Sequence, residues 1–420
     1  MMDAVSMLAE LVSISSVTGT AGEKQAIEWL ERELASYGIP SEHIGVPERP
    51  NLVARMWGSN PSLRPLVLLS HIDVVPAEEA QWKHPPFGGK VEDGRLYGRG
   101  TLDTKQLTIM ELIAFLKLNA SGHPKRDVVL IATVDEEKGS MLGAARLAEE
   151  KPDLFHGAIA ISEGGGFPII VNSKSYLTMT IGEKASCRVK LTAEGQSGHA
   201  GAPGTDQAVV KLARALAKVL ECVNRLEKGG ATAEAMAACI GKTPENKFAA
   251  ELLDYSGSCG VAIQPFKIGE KVNVLPADAT LSLELRPLPG TTQAQVEGWL
   301  NDWLREEDAA YKIESFQPGC GCEPESKHVK RIMASVEQSA SRHGLMATVL
   351  PMLALGRTDG RFFSEGSSVF GFSPLGLEDT FDAILPKVHG VDESVNLSGF
   401  TMGCEILADL VHELAMEVED

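Results

Sequence analysis

The sequence lacks long apolar runs, an excess of basic residues and a large number of cysteines. It therefore does not have the features of membrane proteins, nucleic-acid-binding proteins or disulfide-rich proteins. None of its apolar runs reaches the roughly 18 residues that a membrane-spanning helix needs, so we expect no membrane contact. Basic residues number 39 against 57 acidic ones, and the net charge of −18 disfavours nucleic acid as a partner. The 7 cysteines are an odd and scattered set, which argues against a disulfide scaffold and favours a reducing cytoplasm.

What is present is ordinary globular material. The chain has 420 residues, of which 44% are hydrophobic and 23% charged, enough for one large domain or two ordinary ones. Disorder is not expected, because it requires low hydrophobicity together with high charge. Residues 1–16 lack the basic region of a secretory signal peptide. Together these features predict a folded, acidic, cytoplasmic protein.

Short aliphatic runs separated by helical patterns dominate the first part of the chain. The runs 65–71, 127–135 and 157–163 are continuous and apolar, as is typical of parallel strands that are buried on both faces. Residues 104–118 and 141–149, which lie between them, have helical spacing. This alternation of strand and helix predicts an α/β domain.

The pattern changes in the middle of the chain. Residues 186–193 and 280–286 alternate apolar and polar side chains, as half-buried strands do, and helical patterns accompany them. This pattern of strands and helices is typical of an α+β sandwich, and the α/β pattern returns after it. We therefore predict one α/β domain in two pieces, 1–183 and 323–420, with an α+β domain inserted at 184–322.

All three early strands end in side chains that could bind a metal ion. These are His71 and Asp73, then Asp135, Glu136 and Glu137, then Glu163. In open α/β sheets ligands bind outside the carboxyl ends of the strands. Carboxylates gathered there would repel one another, and a bound cation is the usual resolution, although a solvated acidic edge is the alternative. Imidazole and carboxylate are ligands of zinc and related divalent ions.

A pair of metals would need a bridging carboxylate and a second imidazole. Asp103 is the candidate bridge, because it lies in a glycine-containing loop just before a predicted helix. His389, in the stretch Val388-His-Gly-Val-Asp-Glu393, is the best remaining histidine.

Motifs along essentially the whole chain closely resemble those of the M20 metallopeptidases. They are Ser70-His-Ile-Asp73, Trp82-Lys-His-Pro-Pro-Phe87, Gly98-Arg-Gly-Thr-Leu-Asp-Thr-Lys105, Asp135-Glu-Glu137, Glu163-Gly-Gly, Ser197-Gly-His-Ala-Gly201, Asn273-Val-Leu-Pro276, Arg286 and His389-Gly. The family includes aminoacylase, glutamate carboxypeptidase, acetylornithine deacetylase and succinyl-diaminopimelate desuccinylase. The resemblance implies a zinc-peptidase-like α/β/α catalytic domain with an inserted lid and dimerisation domain, and a homodimer formed through that insertion.

The resemblance also implies two divalent metal ions as cofactors. Asp103 would bridge them, His71 and Glu163 would complete one site, and Glu137 and His389 would complete the other. Zinc is favoured by the ligand types, while cobalt or manganese could also support activity.

Three catalytic roles follow from the same resemblance. Asp73 would lie behind His71 and fix its tautomer, and Glu136 would be the general base that takes a proton from the water held between the metals. Because adjacent strand residues point to opposite faces, Glu136 and Glu137 can share one site only if the strand ends in a turn. His199 would stabilise the tetrahedral oxyanion, and a surface histidine in a glycine turn is the alternative.

Four further residues resemble substrate contacts of the family. Asn273 and Arg286 match lid residues that grip the substrate, and an arginine suits bidentate binding of a carboxylate. For Arg286, a structural salt bridge is the alternative. Thr358 and Arg361 belong to Gly356-Arg-Thr-Asp-Gly-Arg361, which matches the family's Gly-x-Thr-Asp-x-Arg loop beside the pocket.

The substrate class is narrowed by resemblance alone. In this family Glu at the position of Glu163 accompanies acylases and carboxypeptidases, whereas Asp accompanies aminopeptidases and dipeptidases. The stretches that begin at Lys271, Arg286 and His389 are most similar to the carboxypeptidase S and N-acyl-amino-acid hydrolase branch. We therefore predict hydrolysis of a small N-acyl amino acid or short peptide with a free carboxylate. A dipeptidase or aminopeptidase is the alternative enzyme. A catalytically silent binding protein is disfavoured, because every predicted metal ligand and the predicted base are present. Segment 229–260 resembles no motif of the family.

Overall fold

The computed structural model describes residues 3–202, 204–268, 272–363 and 366–418. The chain divides into two compact units. Unit 1 comprises Met1–Ile181, Ala235–Ala250 and Cys322–Asp420, and unit 2 comprises Gly182–Glu234 and Glu251–Gly321. The division differs from the predicted insertion at 184–322 in residues 235–250, which cluster with unit 1. The assignment of these units as functional domains stays a prediction.

The helices and strands are numbered in chain order. The helices are α1 (Ala4–Ser13), α2 (Ala21–Ser36), α3 (Lys105–Ser121), α4 (Ala144–Glu150), α5 (Ala208–Asn224), α6 (Ala231–Ile240), α7 (Lys247–Gly257), α8 (Gln293–Trp303), α9 (Lys327–Arg342), α10 (Phe381–Ile384) and α11 (Leu397–Met416). The strands are β1 (Ser41–Val46), β2 (Arg49–Met56), β3 (Leu66–His71), β4 (Lys90–Glu92), β5 (Arg95–Tyr97), β6 (Val128–Thr133), β7 (Ile159–Ser162), β8 (Pro168–Val171), β9 (Lys174–Glu183), β10 (Ser186–Glu194), β11 (Gly198–His199), β12 (Gly260–Lys267), β13 (Val274–Leu275), β14 (Asp278–Arg286), β15 (Ala310–Gln317), β16 (Cys320–Gly321), β17 (Thr348–Ala354), β18 (Ser368–Gly371) and β19 (Ser394–Asn396).

Unit 1 is built on a sheet whose central strands are parallel. The strand order is β1-β2-β6-β3-β7-β18-β9, and β8 and β17 both pair with β9. The pairs β6–β3, β3–β7 and β7–β18 are parallel, and every residue of β3, β6 and β7 is buried. Burial on both faces explains why these strands are continuous aliphatic runs rather than alternating ones. The predicted α/β architecture is confirmed.

Helix α3 packs against strands β3 and β6 of the sheet of unit 1. It begins two residues after Asp103, is buried along nearly its whole length, and also packs against α11 and α1. Its apolar residues are not confined to one face, which suits an interior position, and Lys105 and Glu111 are buried with them. Helix α1 is an element that the sequence analysis did not predict. No helix of the described residues is long and apolar enough to cross a membrane.

Unit 2 contains an antiparallel sheet with the strand order β12-β14-β10-β15. Burial alternates residue by residue along β10 and β14, as their alternating sequences predict. The buried faces form a core with α5 and α8 that includes Leu191, Leu283, Leu212 and Val296. The two-residue strands β11 and β13 pair with each other outside this sheet.

Candidate active site

The carboxyl ends of the parallel strands carry the first candidate ligands. His71 is the last residue of β3, Glu163 directly follows β7, and Glu136 and Glu137 lie in a short 3-10 turn after β6. Asp135, just before this turn, has a left-handed φ of 68°. That conformation reverses the chain where the strand ends, and so supplies the turn that the sequence requires for both glutamates to face one site.

Two groups of side chains meet at this edge of the sheet. In the first, His71 Nε2 lies 3.1 Å from Asp103 Oδ1 and 3.5 Å from Glu163 Oε2. In the second, His389 Nε2 lies 3.0 Å from Asp103 Oδ2 and 3.0 Å from Glu137 Oε1. Asp103 therefore offers one oxygen to each group. Each group could hold a metal ion, because its ligand atoms lie within 4.8 Å of one another.

The chemistry of these groups fits divalent metal ions. Each group combines one imidazole with two carboxylates, a donor set that suits zinc and related ions. Burial raises the pKa of Glu163 to about 7, and hydrogen bonds to Asp103 and Glu137 raise the pKa of His389 to about 10. Independently of these shifts, the carboxylates gathered at this edge carry negative charge that a bound cation would neutralise.

Asp73 contacts His71 differently from the sequence-based expectation. The Nδ1 atom of His71 lies 2.9 Å from the backbone oxygen of Asp73 and 3.7 Å from its carboxylate. The carboxylate instead accepts hydrogen bonds from the backbone N–H groups of Glu136, at 3.1 Å, and Glu137, at 3.3 Å, and from the hydroxyl of Thr18. Asp73 thus fixes the ring through its backbone and the glutamate turn through its side chain.

Glu136 lies beside the two groups and has its own cationic neighbour. Its carboxylate is 11% exposed, and burial, with the nearby Glu163 as a second cause, raises its pKa well above the ordinary value. Arg361 Nη1 lies 3.6 Å from Glu136 Oε1. Arg361 also donates to the backbone oxygen of Thr358 at 2.5 Å and to the Ser140 hydroxyl at 2.8 Å. Arg361 is therefore held by protein groups, and a substrate role for it and for Thr358 stays a prediction.

The remaining predicted site residues belong to unit 2. His199 in β11 is exposed, and its Nδ1 accepts a hydrogen bond from the backbone N–H of Gly201. Asn273 is exposed and its backbone oxygen accepts from the N–H of Ala200. Arg286 ends β14, with its Nε 2.9 Å from Glu284 Oε1, which is the salt bridge weighed as its alternative role. Within unit 2, β11 thus places His199 close to Asn273 in space.

Glu393 is a functional residue that the sequence analysis did not single out. Its Oε1 atom accepts hydrogen bonds from the backbone N–H groups of Gly100, at 3.1 Å, Leu102, at 2.7 Å, and Asp103, at 3.3 Å. This one carboxylate therefore shapes the loop that presents the shared ligand.

Arg99 joins the same network to the second histidine. It donates to Glu393 at 2.6 Å and to the backbone oxygen of His389 at 3.1 Å, and its guanidinium lies 5.2 Å from the ring centre of Trp82. The side chains of Arg99 and Glu393 are only 3% and 0% exposed. The sequence held one signal for this pair. Arg99 lies in the same motif as the predicted ligand Asp103, and the oppositely charged Glu393 lies in the same motif as the predicted ligand His389.

Replacing Glu393 by alanine should strongly destabilise the protein. Removal of one partner of a buried ion pair costs about 3–5 kcal/mol, which corresponds to a fall of about 10 °C in the unfolding temperature. Thermal unfolding followed by circular dichroism measures the shift. The control is Glu325→Ala, because Glu325 and its partner Lys330 are 70% and 58% exposed and such pairs contribute little. Equal shifts in both variants would contradict the structural role of Glu393.

A cavity of about 280 Å³ adjoins both groups. The polar residues that line it include Asp103, Glu136, Glu137, Glu163, Arg357, Thr358 and His389. Its apolar lining includes Leu102, Phe167, Phe381, Ile384, Leu385 and Val388. An acid-rich site that opens on an apolar cavity can accept a ligand with a polar reacting bond and an apolar group beside it.

Comparison with known proteins places this site in a family context. A family model described as peptidase family M20/M25/M40 matches residues 67–413. The chain is 25% identical over 402 residues to the human N-fatty-acyl-amino acid synthase/hydrolase PM20D1, covering 90% of this chain and 79% of that protein. It is 25% identical over 425 residues to aminoacylase-1 of Mus musculus, covering 98% and 95%. An M20 family metallo-carboxypeptidase from Sulfolobus solfataricus, Sso-CP2, shares the fold with a TM-score of 0.72, at 16% identity and with 98% and 99% of the chains covered.

Proposed function

The chain belongs to the peptidase family M20/M25/M40 and is a hydrolase of that family, and on this premise we propose that it cleaves the amide bond of N-acyl amino acids or the C-terminal peptide bond of short peptides. One observation carries the proposal: two groups of side chains that could each hold a metal ion share Asp103 beside Glu136 and a cavity. The relatives named as an acyl-amino acid hydrolase and an aminoacylase support the substrate class.

Two divalent metal ions complete the proposed site, with zinc best suited to the ligands. His71, Asp103 and Glu163 would hold one ion, and Asp103, Glu137 and His389 the other. When bound, such ions polarise an amide carbonyl and lower the pKa of water.

Glu136 is the proposed general base. Its carboxylate lines the cavity, so that it can take the proton of the attacking water and deliver it to the nitrogen of the leaving amine. The raised pKa of this carboxylate supports the second transfer, because a carboxylic acid formed in the first step remains a proton donor nearer to neutral pH. Asp73 supports the base by accepting hydrogen bonds from the backbone of the glutamate turn.

The proposed recognition of the substrate uses the residues that resemble the family's substrate contacts. His199 would stabilise the oxyanion, Asn273 and Arg286 would bind the substrate, and Thr358 and Arg361 would assist. For Arg286, Nη1 has no hydrogen-bond partner among the described residues, while Nε faces Glu284. Nη1 is also buried, and the planar fork of an arginine suits a carboxylate that would reach it.

Conversion of the substrate's free carboxylate to an amide should lower kcat/KM by about 10- to 100-fold, because a hydrogen bond to a charged group contributes about 1.5–3 kcal/mol. The measurement compares each N-acyl amino acid with its amide on metal-loaded protein. In the variant Arg286→Ala the difference between acid and amide should largely disappear. Equal rates on acid and amide with the unmodified protein would show that no free carboxylate is recognised.

The same assay separates the proposed function from its alternative in the family. A dipeptidase would prefer peptides with a free α-amino group, whereas an acylase or carboxypeptidase would prefer substrates in which that amino group is blocked. Glu163 favours the acylase or carboxypeptidase, by resemblance to the family. Faster hydrolysis of free dipeptides would therefore show that the protein is a dipeptidase.

We also propose that the protein forms a homodimer through residues 184–322 and is located in the cytoplasm.

A further inference from the structure

Residues 235–250 are the part of segment 229–260 that belongs to unit 1. Two hydrogen bonds hold them against neighbouring strands of that unit. Asn246 Nδ2 donates to the backbone oxygen of Ile170 in β8 at 2.9 Å, and the Tyr176 hydroxyl in β9 donates to the backbone oxygen of Cys239 at 3.0 Å. A stretch without any recognisable motif is therefore attached to unit 1 at defined points.

An aromatic row leads from this stretch to the cavity. The ring of Phe248 meets Phe381 edge-on, with the centroids 5.2 Å apart and an interplanar angle of 88°. The ring centroid of Phe381 in turn lies 5.0 Å from that of Phe167. Phe381 and Phe167 are both buried and line the cavity, whereas Phe248 is not among the lining residues. Phe248 therefore stands behind the wall that a ligand would touch.

The apolar wall continues directly to a candidate ligand. Ile384 and Val388 line the cavity in the same stretch of chain as Phe381, and His389 follows Val388. At about 280 Å³ the cavity lies near the lower end of the range of roughly 300–1,000 Å³ that is usual for small-molecule sites. It thus fits one compact aliphatic or aromatic group next to the reacting bond.

We propose that Phe248 is a specificity-determining residue, which positions Phe381 as the wall for a compact apolar group of the substrate. This inference rests on the proposed function and narrows it to N-acyl amino acids in which the acyl group or the side chain is apolar. Removal of the Phe248 ring would take away the support of Phe381, so the wall would retreat and the cavity would accept a longer group.

Two substrate series test the proposal on the metal-loaded full chain. One series lengthens the acyl group of N-acyl-glycines from acetyl to octanoyl, and the other enlarges the side chain of N-acetyl amino acids from alanine to leucine and phenylalanine. In the series that occupies the cavity, kcat/KM of the unmodified protein should rise about fourfold per methylene until the cavity is full. The series that responds identifies which half of the substrate lies there.

For each protein, kcat/KM on the longest substrate of the responding series is divided by kcat/KM on the substrate that the unmodified protein prefers. Phe248→Ala should raise this ratio by at least about tenfold, mainly through a lower KM for the longest substrate. The matched control is Phe266→Ala, because Phe266 in β12 is 47% exposed. Phe248→Leu, which keeps an apolar side chain, should change the ratio in the same direction by less, and it replaces the alanine variant if that one does not fold.

The possible failures are distinguishable. If the unmodified protein cleaves no member of either series, the proposed function is wrong. If it cleaves them with a flat profile, or if a folded Phe248 variant keeps the wild-type profile, the role of Phe248 is wrong and the proposed function is untouched.

Discussion

Replacing Asp103 by alanine is expected to reduce the metal content from the proposed two ions per chain to less than one and to lower kcat/KM by about 10⁴-fold or more. The reason is that Asp103 supplies one oxygen to each group, so its loss leaves His71 with Glu163, and Glu137 with His389, as incomplete pairs. Enzymatic accelerations commonly exceed 10⁶-fold, which leaves room for a loss of this size. Elemental analysis of dialysed protein gives the metal content, and hydrolysis of the best substrate gives the rate.

The matched control for this variant is Asp382→Ala. Asp382 is an exposed carboxylate on α10, next to the cavity-lining Phe381, and it belongs to neither group. The control should keep both metal ions and the wild-type rate. A variant at Asp103 that still bound two ions would show that the bridge has been assigned to the wrong residue.

Glu136→Gln should leave the metal content unchanged and lower kcat by about 10²- to 10⁴-fold. Glutamine keeps the size of the side chain but cannot accept a proton from water, and positioned general bases contribute accelerations of this order. The measurement pairs kcat with elemental analysis of the same preparation. Glu149→Gln, on the exposed face of α4, changes the same chemical group away from the site and should keep the wild-type rate.

The two variants therefore report on different properties of the site. A change at Asp103 should alter both metal content and rate, whereas a change at Glu136 should alter the rate alone. Retained turnover in Glu136→Gln would remove this residue from the mechanism, even if the metal groups prove correct.

The sequence predicted the sheet and three of the five candidate ligands, His71, Glu137 and Glu163, because these depend on short-range patterns. Buried parallel strands are aliphatic throughout, and their carboxyl ends meet at one edge, so the residues after three such runs could be expected to lie together. Asp103 and His389 do not follow from this rule. The sequence marks Asp103 only as a loop carboxylate and His389 only as the best remaining histidine, and their pairing is implied by the family resemblance.

Features set by tertiary contacts could not be predicted in the same way. Helix α1 itself carries local signals, with Asp3 as its N-cap and buried Leu8 and Leu11 at helical spacing. What the local sequence does not show is the contact at its carboxyl end, where Lys105 donates to the backbone oxygens of Leu11 and Ile14. A lysine about ninety positions away leaves no mark on the local pattern. Likewise, the sequence names Asp73 as a neighbour of His71, but it does not say whether the backbone or the carboxylate makes the contact.

The stretch 235–250 illustrates another limit. It resembles no family motif, and its helices alone do not reveal where they pack. The edge-on contact of Phe248 with Phe381 gives it a position and a candidate role, and no local sequence signal marks this half-buried phenylalanine as the support of a cavity wall.

The second metal-binding group joins parts of the chain that are made at very different times during translation. Glu137 and His389 are 252 positions apart, so a ribosome-bound chain can carry the complete first group well before the second exists. The proposed second metal ion could therefore find its full set of protein ligands only near the end of synthesis, once residue 389 has been made.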